Sequence, residues 1–166
     1  MTRLSYWAYA IAIALAVSGC GTAENGSTAM DETITQDEAA EKVTEHIEGL
    51  MASLPDEAEL ETRQGMNFAS CDDPTDGGPR GRITVSERFW IRGLPVEDNE
   101  TSIELMYEHW TSNGYRVLRD ERPDKQSISV EDEEDSFRMS LRVSDQGSLS
   151  IGASSYCVWP EGTPEA

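Results

Sequence analysis

Histidine and cysteine are nearly missing from this chain, with two of the first and three of the second in 166 residues. Basic residues are scarce as well. Thirteen lysines and arginines face 32 aspartates and glutamates, for a formal charge of −19 at pH 7. Each shortage removes a class of function. No histidine near a cysteine completes a zinc pattern. No serine sits in a nucleophile elbow, and no glycine loop has phosphate-cradling spacing. The acidity argues against nucleic acid as a partner. It also argues against docking directly on an anionic membrane surface, because like charges repel within a Debye length of roughly 8–10 Å. The carboxylates are so many that accidental pairs abound, and no single pair marks a catalytic centre. The chain is therefore read as a non-enzyme without cofactor or metal. No internal repeat or second domain boundary interrupts it, and no apolar run reaches the roughly 20 residues of a membrane span.

What the N-terminus does have is a leader. Arg3 supplies a thin positive start, Leu4 to Val17 an apolar stretch, and Ser18 and Gly19 a small-residue exit. This is the layout of a secretory signal peptide. The run Val17-Ser18-Gly19-Cys20 resembles the lipobox of bacterial lipoproteins. That resemblance implies cleavage before Cys20 and a diacylglyceryl group on its thiol, with palmitate-type chains. A single spanning anchor and lipid-free secretion are the alternatives. Each buried methylene contributes about 0.8 kcal/mol, and one acyl chain holds only marginally, so two or three chains make release slow. The expected location is the extracytoplasmic face of the cell membrane.

Residues 1–19 are thus expected to be lost, and residues 20–34 to form a flexible tether carrying the lipidated Cys20. The tether is rich in Gly, Ser, Thr, Asn and acidic residues, and spans about 20 Å root-mean-square. Residues 35–166 form the single remaining domain, long enough for a real core. Its cysteines, Cys71 and Cys157, are an even pair in an oxidising compartment. A bridge between them would close a long loop, for about 4–5 kcal/mol in the chain-entropy account. Two free thiols or a metal pair are the other readings.

The first helix is expected from Thr35, where Thr35-Gln36-Asp37-Glu38 forms a capping box. Ala39, Val43, Ile47, Leu50, Met51 and Leu54 make one face, and Pro55 stops it. A strand is expected over Arg63–Ser70, with Met66 and Phe68 facing one way. After the turn-rich loop from Asp72 to Gly81, a second strand runs from Arg82 to Arg92. Ile83, Val85, Phe89 and Ile91 face its core side, and Glu87 breaks the pattern as a bulge or an edge. A second helix runs from Asn99 or Thr101 to Ser112, with Thr101-Ser102-Ile103-Glu104 as its capping box and Ile103, Met106, Tyr107 and Trp110 as its buried stripe. Asn113-Gly114 ends it. Tyr115–Asp120, Gln126–Val130, Phe137–Val143 and Ser148–Ser155 follow as strands. Phe137, Met139, Leu141 and Val143 alternate cleanly with polar residues, which means one buried face and one wet face. The expected fold is α+β, two helices packed on one face of an antiparallel, largely meander sheet.

The chain ends on Ser155-Tyr156-Cys157-Val158-Trp159-Pro160-Glu161-Gly162. This run resembles the end of small actinobacterial lipoproteins, in which a strand closes on serine–proline–cysteine before a short Pro/Gly tail. Tyr156 stands where those proteins have proline. The lipobox, the mid-chain Cys71, the Trp110–Tyr115 helix exit and the tail match in order. The resemblance implies envelope location, a disulfide and an α+β sandwich, and it brings no activity.

His46 and His109 read as satisfied boundary residues on helices. Glu131 to Asp135 invites a calcium reading, but consecutive carboxylates point apart, and a solvated hairpin tip is the simpler expectation. Asp72, Asp73 and Asp76 read as a plain loop. One pattern stands out. If Ile83, Val85, Phe89 and Ile91 face inward, then Thr84, Ser86, Arg88, Trp90 and Arg92 face outward, as do Arg138, Ser140 and Arg142. The scarce cations gather on the wet side around a tryptophan, a common makeup for a binding hot spot. The expected role is binding or scaffolding at the cell envelope, with an envelope protein or cell-wall polymer as partner. Cross-strand ion pairing is the plainer account of the arginines. A carboxylate-using hydrolase and a small-ligand carrier are the alternative functions.

Overall fold

Residues 33–72, 75 and 80–164 are described in a computed structural model. Helix α1 (Gln36–Met51) begins as its capping box dictates. The Glu38 amide donates to Thr35 Oγ1 at 3.2 Å, and the Thr35 amide donates back to Glu38 Oε2 at 2.8 Å. Ala39, Val43, Ile47 and Leu50 are all buried along one face. Strands β1 (Glu59–Ser70) and β2 (Ile83–Arg92) form a hairpin. A 3₁₀ turn over Val96–Asp98 leads into α2 (Asn99–Ser112). Strands β3 (Tyr115–Asp120), β4 (Ser127–Asp132), β5 (Arg138–Val143) and β6 (Leu149–Ser154) then run as a meander.

All pairings are antiparallel, in the order β1-β2-β6-β5-β4-β3. The last strand closes the meander onto the first hairpin, so α2 crosses from the interior strand β2 to the far edge strand β3. Both helices pack on the sheet, α1 over β2 and β6 and α2 against β3. One core lies between, with Val43, Ile47, Trp110, Phe137, Met139, Leu141 and Ile151 fully buried or nearly so. This is the expected α+β architecture.

Several local expectations change. β1 starts earlier than Arg63, and Phe68 is 48% exposed. It pairs with the core residue Val85, but β1 is an edge strand beyond the cover of α1. Glu87 is not an edge residue, and the bulge it marks lies in the partner strand: β2 pairs with β6 without a break, and opposite Glu87 one extra residue of β1 lies between Gln64 and Asn67. Burial pushes the Glu87 carboxyl up. The second capping box does not form. The 3₁₀ turn feeds straight into α2, so Thr101 and Glu104 fall inside the helix, and Glu104 accepts from Arg122 instead. The ends of β4, β5 and β6 shift by one or two residues.

Cys71 and Cys157 form a disulfide across 86 residues, with Cα atoms 6.1 Å apart. It fastens the end of β1 to the segment after β6, where Ile83 and Val158 exchange backbone hydrogen bonds of 2.9 and 2.8 Å. The C-terminal tail then reaches α1. Pro160 accepts from the Gln36 amide at 3.1 Å, and the Trp159 amide donates to Thr33 Oγ1 at 3.1 Å. Thr33 and the core-packed Ile34 therefore belong to the folded domain and not to a tether. Cys20, the leader, the rest of the tether, Asp73 and Asp76 lie outside the described residues.

Candidate functional site on the open sheet face

The face away from the helices is organised by strand register. Trp90, Ser150, Arg142 and Ser127 form one row across β2, β6, β5 and β4. Arg88, Gly152, Ser140 and Ser129 form the next. Ser86, Ser154, Arg138, Glu131 and Arg116 form the third, which reaches β3. Small side chains of β6, β5 and β4 thus lie at the floor among the arginines of β2 and β5. Two depressions result. One, of about 600 Å³, is lined by Arg63, Trp90, Lys125, Ser127, Arg142 and Ser150, with Asp124 and Asp145 also on its wall. The other, of about 140 Å³, is lined by Arg88, Leu118, Arg138, Ser140, Gly152 and Ser154 among others.

Gly152 is a requirement of this floor. A Cβ there would lie 2.9 Å from Arg88 Cγ and 3.2 Å from the Glu87 carbonyl oxygen. The stem of Arg88 lies over the glycine.

Trp90 is half-buried, with the Arg63 guanidinium 4.4 Å and the Arg92 guanidinium 5.4 Å from the centroid of its ring. Arg92 is engaged twice by Glu61, at 3.0 Å through both Nε and Nη2. Those hydrogen bonds hold the Glu61 carboxyl below its ordinary range. Arg138 and Arg116 share Glu131 at 2.8 and 2.6 Å, and they lower its carboxyl likewise. Of the five expected binding residues, Arg92 and Arg138 are therefore cross-strand paired. Arg88 and Arg142 make no ion pair among the described residues. Arg63 is a residue that sequence reasoning misses. It is the extra residue at an irregularity between Thr62 and Gln64, and it reaches Ser150 Oγ at 3.4 Å.

A second polar cluster sits on the helix side. His46 Nδ1 lies 2.5 Å from Tyr115 Oη and Nε2 lies 3.2 Å from Asp135 Oδ2, while its ring stacks on Phe137 with centroids 5.2 Å apart. Lys42 Nζ donates to the same carboxylate oxygen at 3.0 Å. Asp135 is thus turned inward, its side chain only 19% exposed, and is not part of a solvated tip. Burial alone would raise its carboxyl. Lys42, the Phe137 amide and His46 outweigh burial and leave it below its ordinary value. Burial, aided by Asp132 and Asp135, pushes the Tyr115 phenol up to about 12. His46, Asp132 and Asp135 offer three ligand atoms within 4.8 Å. The Lys42 ammonium already pairs with Asp135, so the cluster reads as a neutralised tie between α1 and the β4–β5 turn.

A third concavity, of about 830 Å³, lies beside α2 and contains Glu100, Glu104 and Asp120. Arg122 grips Asp120 at 2.6 Å and Glu104 at 2.7 Å, and the hydrogen bonds from Arg122 hold the Asp120 carboxyl below its ordinary range. A lowered Asp120 suits a general acid poorly. Asp72 accepts from the Gly81 and Arg82 amides at 2.7 and 3.1 Å, in keeping with a plain loop. No described helix is long and apolar enough to cross a membrane. Comparison with protein-family models, curated proteins and solved structures yields no match to this chain.

Proposed function

We propose that this chain is a lipid-anchored extracytoplasmic protein, held by acyl chains on Cys20, whose open sheet face binds a partner at the outer side of the cell membrane. The observation that carries the reading is a group of guanidiniums without ion pairs. Arg63, Arg88 and Arg142 share one face and have no ion-pair partner among the described residues, in a chain with 32 acidic residues to spare. Cross-strand pairing explains Arg92, Arg116 and Arg138 but leaves these three unexplained. Around Trp90 they supply the aromatic and guanidinium chemistry common at binding hot spots. The hydrolase reading draws less support, because Arg122 neutralises two of the three carboxylates beside α2. The carrier reading draws less as well, because Trp110, Phe137 and Met106 fill the space between helices and sheet.

The test is partner capture by crosslinking in intact cells, wild type against Arg88→Ala/Trp90→Ala. Removal of a hot-spot pair is expected to reduce capture by roughly tenfold or more. Equal capture ends the reading. The intact mass of the membrane form checks the anchor separately, since the unacylated mass would contradict it.

A further inference from the structure

Resting on the binding role above, we infer that the larger depression of the open face takes a short peptide, its free carboxylate on Arg63 and its ammonium group at the β3–β4 turn. Charge is divided along this depression. The floor is the row of Trp90, Ser150, Arg142 and Ser127, which crosses β2, β6, β5 and β4. One end is positive. Arg63 comes from the edge strand β1, and its guanidinium lies 4.4 Å from the centroid of the Trp90 ring. Its Nη1 donates to Ser150 Oγ at 3.4 Å. That hydroxyl gives its own proton to the Arg142 carbonyl at 3.1 Å, so it meets Arg63 as an acceptor. The ring and the serine thus position a guanidinium that has N–H groups to spare. No described carboxylate pairs with it. The other end is acidic. Asp124 enters from the β3–β4 turn and Asp145 from the β5–β6 turn, and neither makes an ion pair among the described residues. The cations on that side are answered by Glu121. Lys125 pairs with it at 3.1 Å. Lys125, and after it Arg119 and Arg142, hold the Glu121 carboxyl below its ordinary range, so Arg142 lies within the field of that carboxylate.

Opposite charges that share a depression without meeting suit a ligand that carries both. An anion is repelled by Asp124 and Asp145, and a cation by Arg63. An uncharged ligand would take water from both ends and return no counter-charge to either. A dipolar ligand answers both. It has no net charge, so it also escapes the long-range repulsion of a chain at −19. Length selects a peptide. The floor row spans the gaps from β2 to β4, roughly 14 Å at the usual strand spacing. An extended chain of three or four residues reaches at most about 10–14 Å, and a single amino acid falls far short of that. The volume of about 600 Å³ lies within the range of small-ligand sites. The terminal carboxylate meets the Arg63 fork through two parallel hydrogen bonds, a geometry that a guanidinium provides and an ammonium does not.

The experiment is calorimetric titration of the full chain in detergent with tetra-alanine, the same peptide amidated at its C-terminus, the same peptide acetylated at its N-terminus, free alanine, and an uncharged trimer of N-acetylglucosamine. Blocking either end is expected to weaken binding by roughly tenfold or more, because each block leaves one charge of the depression unanswered. Free alanine and the sugar are expected to bind more weakly than tetra-alanine. Arg63→Gln is expected to bring tetra-alanine down to the level of its amide and to leave the amide unaffected. Asp124→Asn with Asp145→Asn is expected to do the same for the acetylated peptide. This pairing of block and variant is a double-mutant cycle, which a merely structural loss would not reproduce. The exposed loop variant Arg80→Gln is expected to have no effect. Unchanged far-UV circular dichroism and melting confirm that the variants fold. Absence of tetra-alanine binding, blocked peptides that bind as well as the free one, tighter binding of the sugar, or variants that bind like wild type would overturn the inference. If the peptide fails while Trp90-dependent capture in cells persists, the peptide assignment falls and the binding role stands. If both fail, the binding role falls with it.

Discussion

Tyr115 and Gly93 show how single residues carry the fold. The Tyr115 phenol, pushed up to about 12 mainly by burial, compares with an unfolded value of about 10. A raised folded pKa favours the neutral phenol in the native state. Its contribution is complete below pH 10 and is lost as pH rises from 10 through 12. Wild type is therefore expected to lose melting temperature across that interval, and Tyr115→Phe to lose less. Absorbance titration checks this directly, since a phenol step near 12 that Tyr115→Phe removes should appear. Ionisation of every tyrosine near 10 would contradict it. Gly93 has φ +82°, and a Cβ there would lie 1.8 Å from the Glu57 carbonyl oxygen. Gly93→Ala combines left-handed strain with overpacking, and urea denaturation is expected to show a loss of about 3 kcal/mol.

At the scale of elements, legibility followed locality. The α1 capping box, the alternation of β5 and β6 and the stripe of α2 are short-range patterns, and the sequence displays them openly. β1 was half-hidden, because a polar edge strand with two irregularities has no steady period. The same irregularity concealed Arg63, since an extra residue breaks the parity by which sides are assigned. Parity did place Arg88, Trp90, Arg92, Arg138 and Arg142 on one face. It could not say that Arg92 meets Glu61 or that Arg138 meets Glu131, because those pairs depend on strand register. His46 and Asp135 are 89 residues apart, and only the fold brings them together. The disulfide joins two such distant elements. Cys157→Ser is expected to cost about 2–5 kcal/mol, read as a lower denaturation midpoint that wild type reproduces on reduction. Equal midpoints for oxidised wild type and the variant would show that the backbone bonds between Ile83 and Val158 suffice alone.

The whole molecule divides its duties between two sides of one sheet. The helix side is filled by the core and sealed where the C-terminal tail meets the start of α1. The open side keeps serine and glycine at its floor and carries three guanidiniums that make no ion pair among the described residues. A lipid on Cys20 would hold that surface near the membrane without help from the protein's own charge, which repels anionic headgroups. The central claim is that the open face, and not the helical side, meets the partner. A photoreactive side chain placed at Ser140, in the middle of the open face, tests it in living cells against the same group placed at the exposed Glu108 of α2. Crosslinks from Ser140 with few from Glu108 are the predicted result, and crosslinks from Glu108 alone, or equally from both, would contradict it.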